Sequence, residues 1–271
     1  AIPTSSDFIL FSKDNKVMYS SDGITWSNSG VTGTPDAQWY SITYGNGKYV
    51  AVGSVIGTSG NVVSMYSTNG VSWTDGASGS TFDSTNWYGV TFGDGKFVAV
   101  GQPTASTAFA MYSTDGATWS PINTADAGDE FANAWRGVTY GDGKFVAVSY
   151  NGTNRVMYST DGTSWSISGI TGVLEDVQFY SIAYGNGRFV VPPNQNTYPM
   201  YSLDGQTWIK STENIELTSW ENITFGDGIF MASARSGANR LAYSADGSTW
   251  KQTAVGANSL ETLTYSGLVY G

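Results

Sequence analysis

The chain has 271 residues, 40% of them apolar and 14% aromatic, with 34 glycines and only 13% charged residues; such a composition supports a buried core and many turns and is unlike that of a disordered chain. A formal net charge of −10 offers no basic face to neutralise phosphates, which argues against nucleic acid and anionic lipid as partners. Cysteine and histidine are both absent, which removes disulfides, zinc centres built on those ligands and histidine-based catalytic triads, and leaves hard cations held by oxygen as the metal option.

In chain order, the first predicted elements are three short strands, "FILFS" (8–12), "KVMYS" (16–20) and "ITWSN" (24–28). No apolar run approaches the roughly 20 residues needed to span a bilayer, and "AIPTSSDFIL" lacks the basic and apolar pattern of a secretory leader. From residue 39 a hairpin motif recurs: "SITYGNGKYVAVG" (41–53), "GVTFGDGKFVAVG" (89–101), "GVTYGDGKFVAVS" (137–149), "SIAYGNGRFVVPP" (181–193) and "NITFGDGIFMASA" (222–234). Each hairpin places Asn-Gly or Asp-Gly between two alternating strands, the dipeptides that suit a type I′ turn. A second motif follows each hairpin and also precedes the first: "SSDGITW" (20–26), "STNGVSW" (67–73), "STDGATW" (113–119), "STDGTSW" (159–165), "SLDGQTW" (202–208) and "SADGSTW" (244–250). It supplies a second tight turn and two further strands.

The hairpins open after Trp39, Trp87, Trp135, Phe179 and Trp220, with a degenerate sixth after Leu260, at spacings of 48, 48, 44, 41 and 40 residues. Four strands every ~40–50 residues is the period of a β-propeller blade. The expectation is one all-β domain, a six-bladed propeller with four antiparallel strands per blade. Its blades fall at about 39–86, 87–134, 135–178, 179–219 and 220–259, and the last combines 260–271 with 1–38. Such closure removes exposed sheet edges.

The second motif is similar to the Asp-box of sialidases and other BNR-type propellers, although it is one residue shorter between Asp and Gly. The combined unit, "YGNGKYVAVG" followed by "YSTDGATW", resembles repeats of bacteriophage tail and virion proteins and of some bacterial surface proteins, and the resemblance covers nearly the whole chain. It implies a virion, extracellular or cell-surface protein that needs no cofactor. Its partner would be a host-surface glycan, a receptor protein or a neighbouring virion protein. The alternative it raises is a sialidase-like or other two-carboxylate glycoside hydrolase. The chain has five arginines for such a site, Arg136, Arg155, Arg188, Arg235 and Arg240, but no Arg-Ile-Pro segment of the sialidase kind.

Within the propeller expectation the Asp-Gly turns line one rim, constant in length and chemistry. There Asp22, Asp115, Asp161, Asp204, Asp246 and Asn69 bond their own backbone. The opposite rim carries segments that differ from blade to blade, the usual seat of function. Near it lie the strand-opening rings Trp39, Trp87, Trp135, Phe179 and Trp220, expected as wedges between blades or as stacking platforms. Arg136, Arg155 and Arg240 lie beside them, and these eight residues form the candidate ligand-binding set. "DAGDE" (126–130), with Asp126, Asp129 and Glu130, is a weak calcium candidate because it lacks the spacing of an EF-hand loop.

Overall fold

Asn-Gly and Asp-Gly turn where they were expected to. In the computed structural model, Asn46 and Gly47 take φ of 48° and 74°, and the same pair of positive values recurs at Asp94–Gly95, Asp142–Gly143, Asn186–Gly187 and Asp227–Gly228. This is the twist a two-residue hairpin loop requires. The structure describes residues 8–11, 17–28, 32–34, 37–55, 63–77, 82, 85–103, 108–123, 128–168, 177–194, 198–212, 219–235 and 240–253.

The chain divides into two compact units, Ala1–Ala132 and Asn133–Tyr270, so that the division falls at the end of a repeat. In the first unit, β1 (Phe8–Phe11) and β2 (Val17–Ser20) form a two-stranded sheet; β3 (Ala37–Gly45), β4 (Lys48–Val55), β5 (Ser64–Ser67) and β6 (Thr74–Asp75) form a four-stranded one; β7 (Asn86–Gly93), β8 (Lys96–Gln102), β9 (Ala108–Ser113) and β10 (Ser120–Asn123) form another. A 3-10 turn, Asp129–Phe131, follows, and Phe131 stacks on Phe109 with ring centroids 4.9 Å apart. The second unit has three four-stranded sheets: β11 (Trp135–Gly141), β12 (Lys144–Ser149), β13 (Val156–Ser159) and β14 (Ser166–Ile167); β15 (Ala183–Gly185), β16 (Arg188–Val191), β17 (Met200–Ser202) and β18 (Ile209–Lys210); β19 (Trp220–Gly226), β20 (Ile229–Ala234), β21 (Leu241–Ser244) and β22 (Lys251–Thr253). Every sheet is an antiparallel meander in chain order, the construction of a propeller blade. Leu260 and the rest of the expected closing strand lie outside the described residues.

The core lies between successive sheets of a unit. Val50 and Val52 of β4 are buried with Trp87, Phe97 and Trp119 of the following repeat. Val146 and Val148 of β12 meet Phe179, Phe189 and Met200, and Val190 of β16 meets Trp220, Phe230 and Trp250. The strand-opening rings are therefore wedges, each fully or almost fully buried. Glycines permit the close approach: a Cβ on Gly45, Gly141 or Gly185 would stand 2.0–2.1 Å from a ring carbon of Phe92, Tyr184 or Phe225 in the next sheet.

The Asp-boxes act as local turns and as contacts between sheets. In the second repeat, Asp115 Oδ1 accepts from the N–H groups of Ala117 and Thr118 at 2.8 and 2.7 Å, while Ser113 Oγ accepts from Gly116 N–H at 2.8 Å. Asn69 makes the same pattern with Val71 and Ser72, since only a side-chain acceptor is needed. Lys48 Nζ, at the start of β4, donates to the carbonyl of Asp115 at 2.6 Å and lies 4.9 Å over the Tyr66 ring. Arg188 does the same on β16, donating to the Asp246 carbonyl above the Tyr201 ring. The constant rim thus fastens one sheet to the next within each unit.

Candidate functional site

The first strands β3, β7, β11 and β19 each carry a one-residue bulge at the same place. Trp39 opposes Gly53 and Ser41 opposes Val52, which leaves Tyr40 as the extra residue. The register breaks identically after Trp87, Trp135 and Trp220, leaving Tyr88, Arg136 and Glu221. Tyr180 follows Phe179 in the corresponding repeat. A bulge re-aims the side chain it carries. Here it sends the ring into the core and leaves its successor half-buried in every case. The residue before this position is always Trp or Phe and the one after it a small Ser, Gly or Asn, whereas the position itself reads Tyr, Tyr, Arg, Tyr, Glu.

Neighbouring first strands are joined within each unit. Val90 N–H donates to Ser41 Oγ and Ile223 N–H to Ser181 Oγ, both at 3.3 Å. A Cβ on Gly137 would come within 2.9 Å of the Ser181 backbone. In the first unit this brings Tyr40 and Tyr88 into contact, ring centroids 4.9 Å apart and tilted by 50°. The Tyr40 hydroxyl donates to Gln38 Oε1 at 2.7 Å. Neither β3 nor β7 contains a charged residue.

The second unit builds a charged counterpart. The Arg136 guanidinium lies 5.4 Å over the Tyr150 ring and 5.9 Å over the Tyr180 ring, and those rings are 5.2 Å apart. Burial pushes the Tyr180 hydroxyl up to about 12, helped by Tyr150 and Glu221 and opposed by Arg136, so it remains a proton donor at any physiological pH. Glu221 Oε1 faces Arg235 Nη1 at 3.7 Å. Arg155 is buried, and its Nη1 donates to the Tyr150 carbonyl at 2.8 Å, so it holds the backbone beneath the cluster. The Arg240 carbonyl accepts from Ala234 N–H at 2.8 Å, closing the base of the loop between β20 and β21.

The structure therefore separates the eight candidate residues. Trp39, Trp87, Trp135, Phe179 and Trp220 are between 0% and 3% exposed and belong to the packing, so no ring face is open for stacking. Arg136 stands in a polar cluster, with Arg155 behind it. Outside the candidate set stand Tyr40, Tyr88 and Tyr180, which sequence reasoning missed, and Glu221, which it places only among the acids of the variable rim; each is one step after a strand-opening ring. Asp126 lies outside the described residues and Glu130 is exposed; among the described residues no group of three or more acidic side chains is placed to hold a metal ion. Nor, among them, is any helix long and apolar enough to cross a membrane.

Successive antiparallel four-stranded meanders packed face to face within each unit define the class as a β-propeller repeat protein, and solved structures of similar fold agree. One, described as "YCF48 bound to D1 peptide", is 16% identical, with 83% of this chain and 69% of that chain covered and a TM-score of 0.58. YCF48 from Cyanidioschyzon merolae is 14% identical over 92% of this chain and 81% of that one, with a TM-score of 0.62. Virginiamycin B lyase from Staphylococcus aureus is 14% identical over 83% and 72%, with a TM-score of 0.65. At these identities the likeness concerns the fold, which a peptide-bound protein and a lyase share. No protein-family model and no curated protein sequence matches the chain.

Proposed function

We propose that this protein is a non-catalytic recognition module of a virion or cell surface, most plainly a phage tail or capsid-associated component. In this reading it binds a host-surface glycan, a receptor protein or a neighbouring virion protein. The observation that carries the proposal is the position after each strand-opening ring: across five repeats it holds a half-buried side chain that is tyrosine in three, arginine in one and glutamate in one. A scaffold under packing constraint alone has no reason to vary there, whereas a surface selecting a partner does. The peptide held by one structure of similar fold makes a protein partner a natural alternative to a glycan.

The proposal includes a closed ring of six blades, with residues 260–271 completing the sheet begun by β1 and β2. Met231 of β20 supports closure, being 39% exposed where the corresponding Val50, Val98, Val146 and Val190 are fully buried, and Ile229, at the place of Lys48, Lys96, Lys144 and Arg188, is an apolar residue 41% exposed on the same face. That face of β20 awaits a following blade. The test of function is a printed panel of glycans, together with a pull-down of particle and host-envelope proteins. Saturable binding to a member of either set supports recognition. Turnover of a bound glycoside, or inertness towards both sets, overturns it.

A further inference from the structure

We propose that Tyr40 and Tyr88 form a subsite for a neutral sugar residue; this rests on the glycan branch of the function proposed above and assigns its chemistry. The two rings meet at 4.9 Å and 50°, giving an apolar, electron-rich surface of the kind that accepts the C–H face of a pyranose. Gln38 Oε1 accepts a hydrogen bond from the Tyr40 hydroxyl at 2.7 Å, and Asn86 is exposed at the register point of Gln38 in the neighbouring strand. An amide carries both donors and an acceptor, as vicinal hydroxyls require.

The absence of charge selects the class. No Asp, Glu, Lys or Arg occurs in Ala37–Gly45 or in Asn86–Gly93, so an acidic sugar finds no counter-ion on these strands while facing a molecule of net charge −10. A neutral sugar carries no such electrostatic cost. In the second unit Arg136 lies over the Tyr180 ring, the aromatic residue at the corresponding position, and over the adjacent Tyr150 ring, which leaves the first unit as the seat for a stacked ring.

The experiment uses the whole chain on a panel of neutral oligosaccharides and of oligosaccharides bearing uronic or sialic acid, followed by titration of each hit. The expected result is a neutral ligand whose affinity falls at least about tenfold in Tyr40→Ala and in Tyr88→Ala, and less than about threefold in Arg136→Ala. Tyr40→Glu and Tyr88→Arg introduce residues that other repeats already hold at this bulge, so they preserve the fold and show the same loss. Undiminished binding of a neutral sugar in all four tyrosine variants places the ligand elsewhere and overturns the subsite while leaving recognition intact. Binding of acidic glycans alone, abolished by Arg136→Ala, also overturns the subsite but not recognition. Failure to bind any glycan overturns the subsite together with the glycan branch.

Discussion

Gly45 shows how narrowly single residues are set. Its missing Cβ is the space filled by the Phe92 ring, 2.0 Å from where that atom would stand. Gly45→Ala should therefore destabilise the fold by about 1–3 kcal/mol, read from urea or thermal unfolding. Gly47 is constrained differently: nothing lies within 4 Å of its Cβ position, but its φ is +74°, so Gly47→Ala should cost about 1–2 kcal/mol through the backbone alone. The box aspartates carry a pH signature. The N–H of Thr25, then that of Ile24, lower the Asp22 carboxyl from 3.8 to about 2, and the N–H of Thr118 leads the same shift to about 2 at Asp115. At Asp204 burial pushes the other way and is outweighed by Thr207 and Gln206, again leaving about 2. Folded values below the unfolded one mean stability that is complete above about pH 4 and lost as pH falls towards 2. The thermal midpoint should hold steady with respect to these groups from pH 7 to 5 and fall steeply between pH 4 and 2, a trend that calorimetry checks.

Among the elements, the strand-opening rings contribute most. Trp87 is fully buried among Val50, Val52 and Phe97, and Trp87→Ala should cost about 3–5 kcal/mol, measured against Lys48→Met, which removes one bond to the Asp115 carbonyl and should cost only about 1 kcal/mol. At this scale the amino-acid sequence was most informative. The turns at Asn46-Gly47 and its counterparts, the Asp-boxes and the strand order follow from local backbone demands, and each demand leaves its own residue signature. The candidate site was less legible, because it depends on a bulge, which leaves no composition signal of its own. The residue pattern leaves the ring after each loop as a wedge or a stacking platform. The extra residue at Tyr40, Tyr88, Arg136 and Glu221 accompanies a buried ring in each of these strands, the wedge of the two. One signal was nonetheless present: in "WYSITYG", "WYGVTFG", "WRGVTYG", "FYSIAYG" and "WENITFG", the second letter varies most in chemistry while its neighbours hold their type.

For the whole molecule, repetition and variation divide the work. The turns, boxes and buried valines recur because each sheet must accept the next, and the residues left to differ are those at the bulge and in the connecting segments. The proposed closure predicts that removal of residues 260–271 strips the β1–β2 sheet of its partner strand. The truncated chain should then melt at a lower temperature and self-associate in sedimentation, as exposed edges invite; an unchanged midpoint and a monomer would contradict closure. The central claim, that the scaffold is repeated so that the bulge residues can select a partner, is tested most directly by replacing Tyr40, Tyr88, Arg136, Tyr180 and Glu221 together with serine and measuring partner affinity beside the thermal midpoint. The account predicts lost binding in a chain that still melts cooperatively. Full binding in that variant would contradict it.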